Sequence, residues 1–184
     1  MHELILGGQK SGKSRAAESR AARWLQADGR EALLIATALA ADVEMRERIA
    51  RHRRERAARV PALATIEEPR ELAQALRRHC AAQRLVVVDC LTLWLAQLAM
   101  PPPGAGVGES EPASAIGPLL LVLREVPGPV VLVSNEIGFG VAPPSAEARR
   151  FVDALGLLHQ ALAEVCARVT LMVAGCELRV KETR

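Results

Sequence analysis

The chain contains no tyrosine, two tryptophans and two phenylalanines. Its core must therefore be filled by Leu, Val, Ala and Ile, and it lacks the aromatic faces on which bases stack. Its four cysteines, Cys80, Cys90, Cys166 and Cys176, show no C-x-x-C spacing. They read as reduced core thiols, which excludes a disulfide framework and a zinc knuckle. No apolar run reaches the length of a membrane span. The first apolar run starts at Leu4, too early to leave room for a signal peptide, so a soluble, cytoplasmic protein is expected. Neither charge dominates: 24 Lys and Arg stand against 21 Asp and Glu, a net +3. With 184 residues the chain is expected to form one domain, 1–184. The arginines crowd residues 46–59, yet without aromatics or a known RNA module no nucleic-acid partner is expected.

What is present is more specific. Gly7-Gly8-Gln9-Lys10-Ser11-Gly12-Lys13-Ser14 follows the apolar run Leu4-Ile5-Leu6 and precedes a helical pattern from Arg15. This is G-x-x-x-x-G-K-S between a strand and a helix, the setting the phosphate-binding loop requires. Its glycines let successive N–H groups point into one concavity, and the helix adds its positive end. Lys13 is expected to reach the β- and γ-phosphates and Ser14 to ligate Mg²⁺. An ordinary glycine-rich turn is the bland alternative, but it does not need both flanks. A nucleoside triphosphate is the expected ligand.

Continuous apolar runs recur at 4–6, 32–37, 85–89, 130–134 and 169–173, with helical patterns at 15–27, 42–58, 69–82, 91–99, 114–125 and 145–167. Continuous rather than alternating strands are covered on both faces, which predicts a mostly parallel α/β sheet of the RecA-like P-loop NTPase type. The alternating tail 177–181 suggests an antiparallel C-terminal edge. Residues 101–118, opening Pro101-Pro102-Pro103-Gly104, are expected to be a flexible surface loop.

Two further stretches carry chemistry. Asp89 ends a buried run, where P-loop proteins place the acid that orients Mg²⁺; capping the helix near Leu91 is the plainer job for it. Thr92 on that helix is a weaker candidate for a phosphate or substrate contact. In the second stretch, 42–56, Met45 and Ile49 share a helical face that continues through His52 to Arg56 and Arg59. The inward stripe thus turns from apolar to cationic, unlike that of a solvated charge run. This suggests that His52 and Arg56 face the phosphates. Neighbouring guanidinium groups would keep the imidazole neutral and able to attack phosphorus. From spacing alone, a surface or structural histidine remains the competing reading. His2, His79 and His159 are read as structural.

Six blocks in order resemble one family: residues 7–15, Ile35-Ala36-Thr37-Ala38, Arg48-Ile49 before His52-Arg53, Thr65-Ile66-Glu67-Glu68-Pro69, Asp89-Cys90-Leu91-Thr92-Leu93-Trp94, and Val133-Ser134-Asn135-Glu136-Ile137-Gly138-Phe139-Gly140. The chain resembles the bifunctional adenosylcobinamide kinase / adenosylcobinamide-phosphate guanylyltransferases over nearly its whole length. That resemblance implies two reactions. ATP or GTP phosphorylates the aminopropanol hydroxyl of adenosylcobinamide; GTP then guanylylates an enzyme histidine, and adenosylcobinamide phosphate takes up the GMP. It implies His52 as the guanylylated residue, although some members carry two adjacent histidines where this chain has Arg51-His52. It also implies that Thr37, Ala38, Arg53, Arg56 and Glu67 contact nucleotide, Glu67 by reading guanine. Asn135 and Glu136 are either caps or substrate contacts. Residues 57–64 look longer than the family's usual connection. A homo-oligomer, a trimer, is implied as well. A small-molecule kinase without guanylyl transfer and a non-catalytic GTP switch are the alternatives.

Overall fold

A computed structural model describes residues 1–40, 42–100 and 112–183. The elements run β1(Glu3–Gly7), α1(Lys13–Trp24), β2(Glu31–Ala36), α2(Val43–Arg59), β3(Leu63–Glu67), α3(Leu72–His79), β4(Arg84–Asp89) and α4(Leu91–Ala99), then α5(Pro112–Glu125), β5(Val130–Val133), α6(Ala146–Val165), β6(Arg168–Val173) and β7(Cys176–Glu182). One seven-stranded sheet has the order β3-β2-β4-β5-β1-β6-β7. Its strands pair in parallel except β7, which runs antiparallel to β6 as the alternating tail suggested.

The continuous apolar runs are strands buried on both faces, and their residues split by the period of two. Leu4, Ile35, Val86, Val88, Val130 and Leu132 face one core with Leu72, Leu76, Trp94, Leu95, Leu119, Leu123, Leu158 and Leu162 of α3 to α6. Ile5, Leu34, Val87, Val131 and Val133 face the other, against Ala16, Ala17 and Ala21 of α1. Those small alanines let α1, and with it the phosphate loop, lie close on the sheet. Trp94, nearly the only large aromatic in the core, is 2% exposed and donates its indole N–H to Arg70 O at 2.8 Å.

Two sequence expectations need correcting. β3 was not expected: Leu63-Ala64-Thr65-Ile66-Glu67 is an edge strand, largely exposed and partly polar, so it lacks the apolar run that marks a central strand. Residues 57–64 are the end of α2, a short turn at 60–62 and the start of β3. Of the expected loop 101–118, residues 101–111 lie outside the described residues, and from Pro112 onward the chain is helix α5, with Pro118 inside it. Proline suits a first helical position, where its missing N–H has no partner to lose. Among the described residues no helix is long and apolar enough to cross a membrane.

The β6–β7 hairpin turns through Ala174 (φ 50°) and Gly175 (φ 82°), both left-handed as a tight hairpin requires. The exposed β7 edge carries Glu177, Arg179, Lys181 and Glu182, charges that discourage edge-to-edge pairing. Glu177 also joins a buried network. The Glu3 carboxylate, 7% exposed, accepts from Arg20 Nε (3.1 Å), Arg20 Nη2 (3.0 Å) and Thr170 Oγ1 (2.8 Å). Arg20 also holds Glu177 at 2.7 Å, and this bond pulls the Glu177 carboxyl below its ordinary pKa. Arg20→Ala should cost about 3 kcal/mol by leaving Glu3 buried with too little compensation; Arg168, 3.7 Å away, limits the loss. Urea denaturation checks this. Glu177's part of the stability is present above the unfolded carboxylate pKa and lost as pH falls through the lower folded value. The acid-side slope should therefore flatten in the variant.

Candidate active site

Parallel register brings the strand ends into one row. Glu67 pairs with Ala36, Ala36 with Asp89, Asp89 with Val133, and Val133 with Ile5. Gly7, Thr37, Ala38 and Ser134 to Glu136 begin within one or two residues of that row, at the carboxyl edge where open α/β sheets bind ligands. Two backbone bonds lace the edge: Ser134 N to Ile5 O and Glu136 N to Gly7 O, both 3.0 Å.

The phosphate loop rises from this row. Gly7 has φ 151°, and a Cβ there would lie 2.5 Å from Met172 O, so no side chain fits. Gly12, at φ 102°, turns the chain into α1 without a side-chain cap, leaving the helix's first amides available to an anion. Ser11 O accepts from Gly175 N at 3.0 Å, which pins the loop to the β6–β7 hairpin. Ser11 Oγ is buried with no hydrogen-bond partner among the described residues. Gly8, Gln9 and Lys10 are exposed. Lys13, 7% exposed, reaches back to donate to Gly8 O at 2.6 Å. Burial lowers its pKa, while the nearby Cys90 and Asp89 oppose that shift.

Asp89 and Ser14 are both half-buried, and neither side chain makes a hydrogen bond among the described residues. No cluster of three His, Cys, Asp or Glu occurs there. One hydroxyl and one carboxylate suit Mg²⁺, which keeps waters and phosphate oxygens in its shell, so the residues present fit that ion. Opposite stands Arg56, 8% exposed. Burial lowers its pKa, and the charges of Asp89 and Glu18 act to hold its proton. Thr37 has a more structural place than a nucleotide contact would give it. Fully buried, its Oγ1 donates to Cys90 O (2.7 Å) and accepts from Cys90 N (2.9 Å), and its N–H donates to Asp89 O (3.1 Å). This latch joins the ends of β2 and β4 and sets the Asp89 backbone.

Helix α2 starts at an Asp42 cap that accepts from Met45 N at 2.7 Å. Its less exposed positions are Met45, Ile49, Ala50, His52 and Arg56, the stripe the spacing predicts. Its two borders face different surroundings. On one border, His52 lies with Arg48 and Arg59, roughly 60–100° from Ile49 around the helix. Arg59 Nε binds the buried Glu18 of α1 at 2.6 Å, and Arg48 is close enough for its charge to act on Lys13. On the other border, Arg46, Ala50, Arg53 and Arg54 line a cavity of about 700 Å³ with Ala38, Ile49, Glu67 and Pro69. There Arg53 and Glu67 are ion-paired with each other. The border of α2 that carries His52 is thus the one whose arginines act on α1 and Lys13, while Ala38, Arg53 and Glu67 gather at the cavity on the other border.

Sequence reasoning missed Glu18, the buried partner of Arg59, and the pairing of His159 with Ser134 at 2.8 Å. Neither has a local signal, since each contact joins separate elements.

The model of the cobinamide kinase / cobinamide phosphate guanyltransferase family matches residues 3–180. The chain is 48% identical to the bifunctional adenosylcobalamin biosynthesis protein CobP of Pseudomonas aeruginosa, covering 98% of both chains. It is 32% identical to the bifunctional adenosylcobalamin biosynthesis protein CobU of Escherichia coli, covering 97% of this chain and 98% of that one. Among solved structures, the flagellar accessory protein FlaH of Methanocaldococcus jannaschii superposes with a TM-score of 0.54 at 11% identity, over 99% of this chain and 78% of that one. This last likeness concerns the fold alone.

Lys13→Ala should weaken binding of GTP by about 10- to 100-fold, the loss of a charge-assisted contact to phosphate. Titration calorimetry measures it; an unchanged affinity would mean that the loop does not hold the triphosphate.

Proposed function

The chain belongs to the cobinamide kinase / cobinamide phosphate guanyltransferase family, and from that premise we propose how its residues divide the two reactions. It is a bifunctional enzyme of adenosylcobalamin biosynthesis, a cobinamide kinase and a cobinamide-phosphate guanylyltransferase. In our reading ATP or GTP serves the first reaction and GTP the second, adenosylcobinamide and its phosphate being the acceptors.

Residues 7–14 cradle the triphosphate, with loop amides and Lys13 on the β- and γ-phosphates. Ser14 and, through water, Asp89 would hold Mg²⁺, which supplies charge neutralisation along the phosphates. In the kinase step the acceptor hydroxyl attacks the γ-phosphorus and the nucleoside diphosphate leaves. In the guanylyl step a ring nitrogen of His52 attacks the α-phosphorus, the bond to the bridging oxygen breaks, and pyrophosphate departs. Arg56 and Lys13 take up the charge that develops on it. The phosphate oxygen of the cobinamide then attacks the same phosphorus, forming the diphosphate and freeing His52.

The observation that carries this reading is the division of α2. Its Arg48–His52–Arg59 border lies toward α1 and Lys13, and its Arg46–Arg53 border lines the cavity with Glu67 and Ala38. We assign that cavity to the guanine. Glu67 would leave Arg53 to accept from the base's N1–H and amine, while Arg53 turns to the nucleotide. A cytoplasmic homo-oligomer, a trimer, completes the reading; exposed Phe139, Val141, Leu157 and Leu178 are apolar surface suited to a subunit contact.

His52→Ala should abolish covalent GMP transfer to the protein and keep the kinase rate within about tenfold, because only guanylylation needs an imidazole nucleophile. Incubation with α-labelled GTP followed by denaturation tests this. Label retained on the variant would sink the assignment.

A further inference from the structure

A chain of four polar side chains lies beside the phosphate loop. Glu136 Oε2 faces His159 Nδ1 at 3.5 Å. His159 Nε2 lies 2.8 Å from Ser134 Oγ, and Ser134 Oγ lies 3.1 Å from Thr92 Oγ1. Thr92 Oγ1 also accepts from Asn135 N at 2.8 Å. Glu136 is fixed at its other oxygen, which accepts from Gly138 N at 2.6 Å. Ser134 is fully buried and His159 is 7% exposed, while Thr92 and Glu136, at the two ends, are half-buried.

The directions of these bonds follow from chemistry. An ionised carboxylate only accepts, so Nδ1 carries the imidazole proton and Nε2 is an acceptor. Ser134 must then donate to Nε2, and Thr92 to Ser134. With its proton given to Ser134 and one lone pair taken by Asn135 N–H, Thr92 Oγ1 keeps one lone pair for a further donor. The chain therefore draws protons one way, from Thr92 toward His159. Thr92 stands in the first turn of α4, three residues after Asp89, and Ser134 and Glu136 flank the loop through their bonds to Ile5 and Gly7.

We propose that this chain takes the proton of the phosphoryl-acceptor hydroxyl, which donates to Thr92, with His159 as the proton's terminus and Glu136 as its counter-charge. It rests on the nucleotide placement above, which brings the γ-phosphorus to this edge. As the acceptor oxygen bonds to phosphorus and the bond to the departing nucleoside diphosphate breaks, the acceptor's proton moves to Thr92 Oγ1. Thr92's own proton moves to Ser134 Oγ, and Ser134's to His159 Nε2. The imidazolium is balanced by the Glu136 carboxylate until the phosphorylated product leaves, and its Nε2 proton then returns along Ser134 and Thr92 to solvent, which restores the resting tautomer. Thr92 touches the substrate; His159 and Ser134 act through it as positioning residues.

Burial holds the resting imidazole neutral, lowering its pKa against the opposing charge of Glu136, so the ring is ready to accept. The groups around it are few among the described residues. β5 and α4 bring the neutral Ser134 and Thr92, and α5 brings the apolar Leu119, Val122 and Leu123 to the shared core. Glu136 is the charged group acting on the ring.

The test is the single-turnover kinase rate against pH for the wild type, His159→Gln and Ser134→Ala. A glutamine at 159 retains a polar contact to Ser134 but takes no proton. Both variants should phosphorylate about 10- to 100-fold more slowly at neutral pH, a modest share of general-base catalysis because phosphoryl transfer has a loose transition state. Both should also lose the ionisation that slows the wild type on the acid side, while nucleotide affinity stays within about twofold. Should His159→Gln fail to fold, Ser134→Ala carries the same expectation with His159 intact. A rate within about twofold of wild type with that ionisation retained overturns the relay, as does a loss confined to KM. Lys13→Ala in the same assay reports separately on the nucleotide placement: an unimpaired kinase rate there overturns the placement and not the relay.

Discussion

The site depends on one constraint, the in-register parallel pairing that ends four strands on a single row, Glu67, Ala36, Asp89 and Val133, beside Ile5 of β1. Parallel strands buried on both faces tolerate no slip, because moving one residue along would exchange the two cores. Leu4 and Ile5, or Val87 and Val88, face opposite layers, so the cores lock the register and the register delivers the chemistry. The Thr37 latch onto Cys90 and the bonds from Ser134 and Glu136 to β1 hold the row where the strands end. Strand pairing and a few buried hydrogen bonds form this edge.

On that edge, charge is arranged in opposed pairs. Lys13 and Arg56 are both buried enough to lose proton affinity, and the Asp89 carboxylate restrains both shifts. A triphosphate brings the anionic charge that such desolvated cations lack, so binding it relieves a cost the folded protein carries. Helix α2 has two borders, one whose arginines act on α1 and Lys13 and one that meets the Glu67 wall through Arg53. In the reading proposed above, the first border serves the phosphates and the second the base, so that a single helix would let one site handle both an α- and a γ-phosphorus.

Much of this was legible in the sequence because the signals were local. The phosphate loop is eight consecutive residues, and Asp89 ends an uninterrupted apolar run. The α2 stripe of Met45, Ile49, His52 and Arg56 follows from helical spacing, and the antiparallel tail from alternation. Other features were not legible, for physical reasons. β3 is an edge strand with exposed polar residues, so it lacks the run that betrays β2 or β4. Thr37 could be placed at a strand end, but its hydroxyl's partner lies 53 residues away in Cys90. The Glu136–His159–Ser134–Thr92 chain spans three elements, and His159 sits within an ordinary amphipathic helix, where one histidine among leucines carries no signal of its own.

The central claim is that one phosphate loop presents the α-phosphorus of GTP to the imidazole of His52. Peptide mapping by mass spectrometry after incubation of the wild-type protein with GTP and Mg²⁺, kept at alkaline pH to preserve a phosphoramidate, tests it most directly. The account predicts a single GMP increment on the α2 peptide, fragmenting to His52. A GMP increment on any other residue, or none while cobinamide phosphate is still converted, would contradict it.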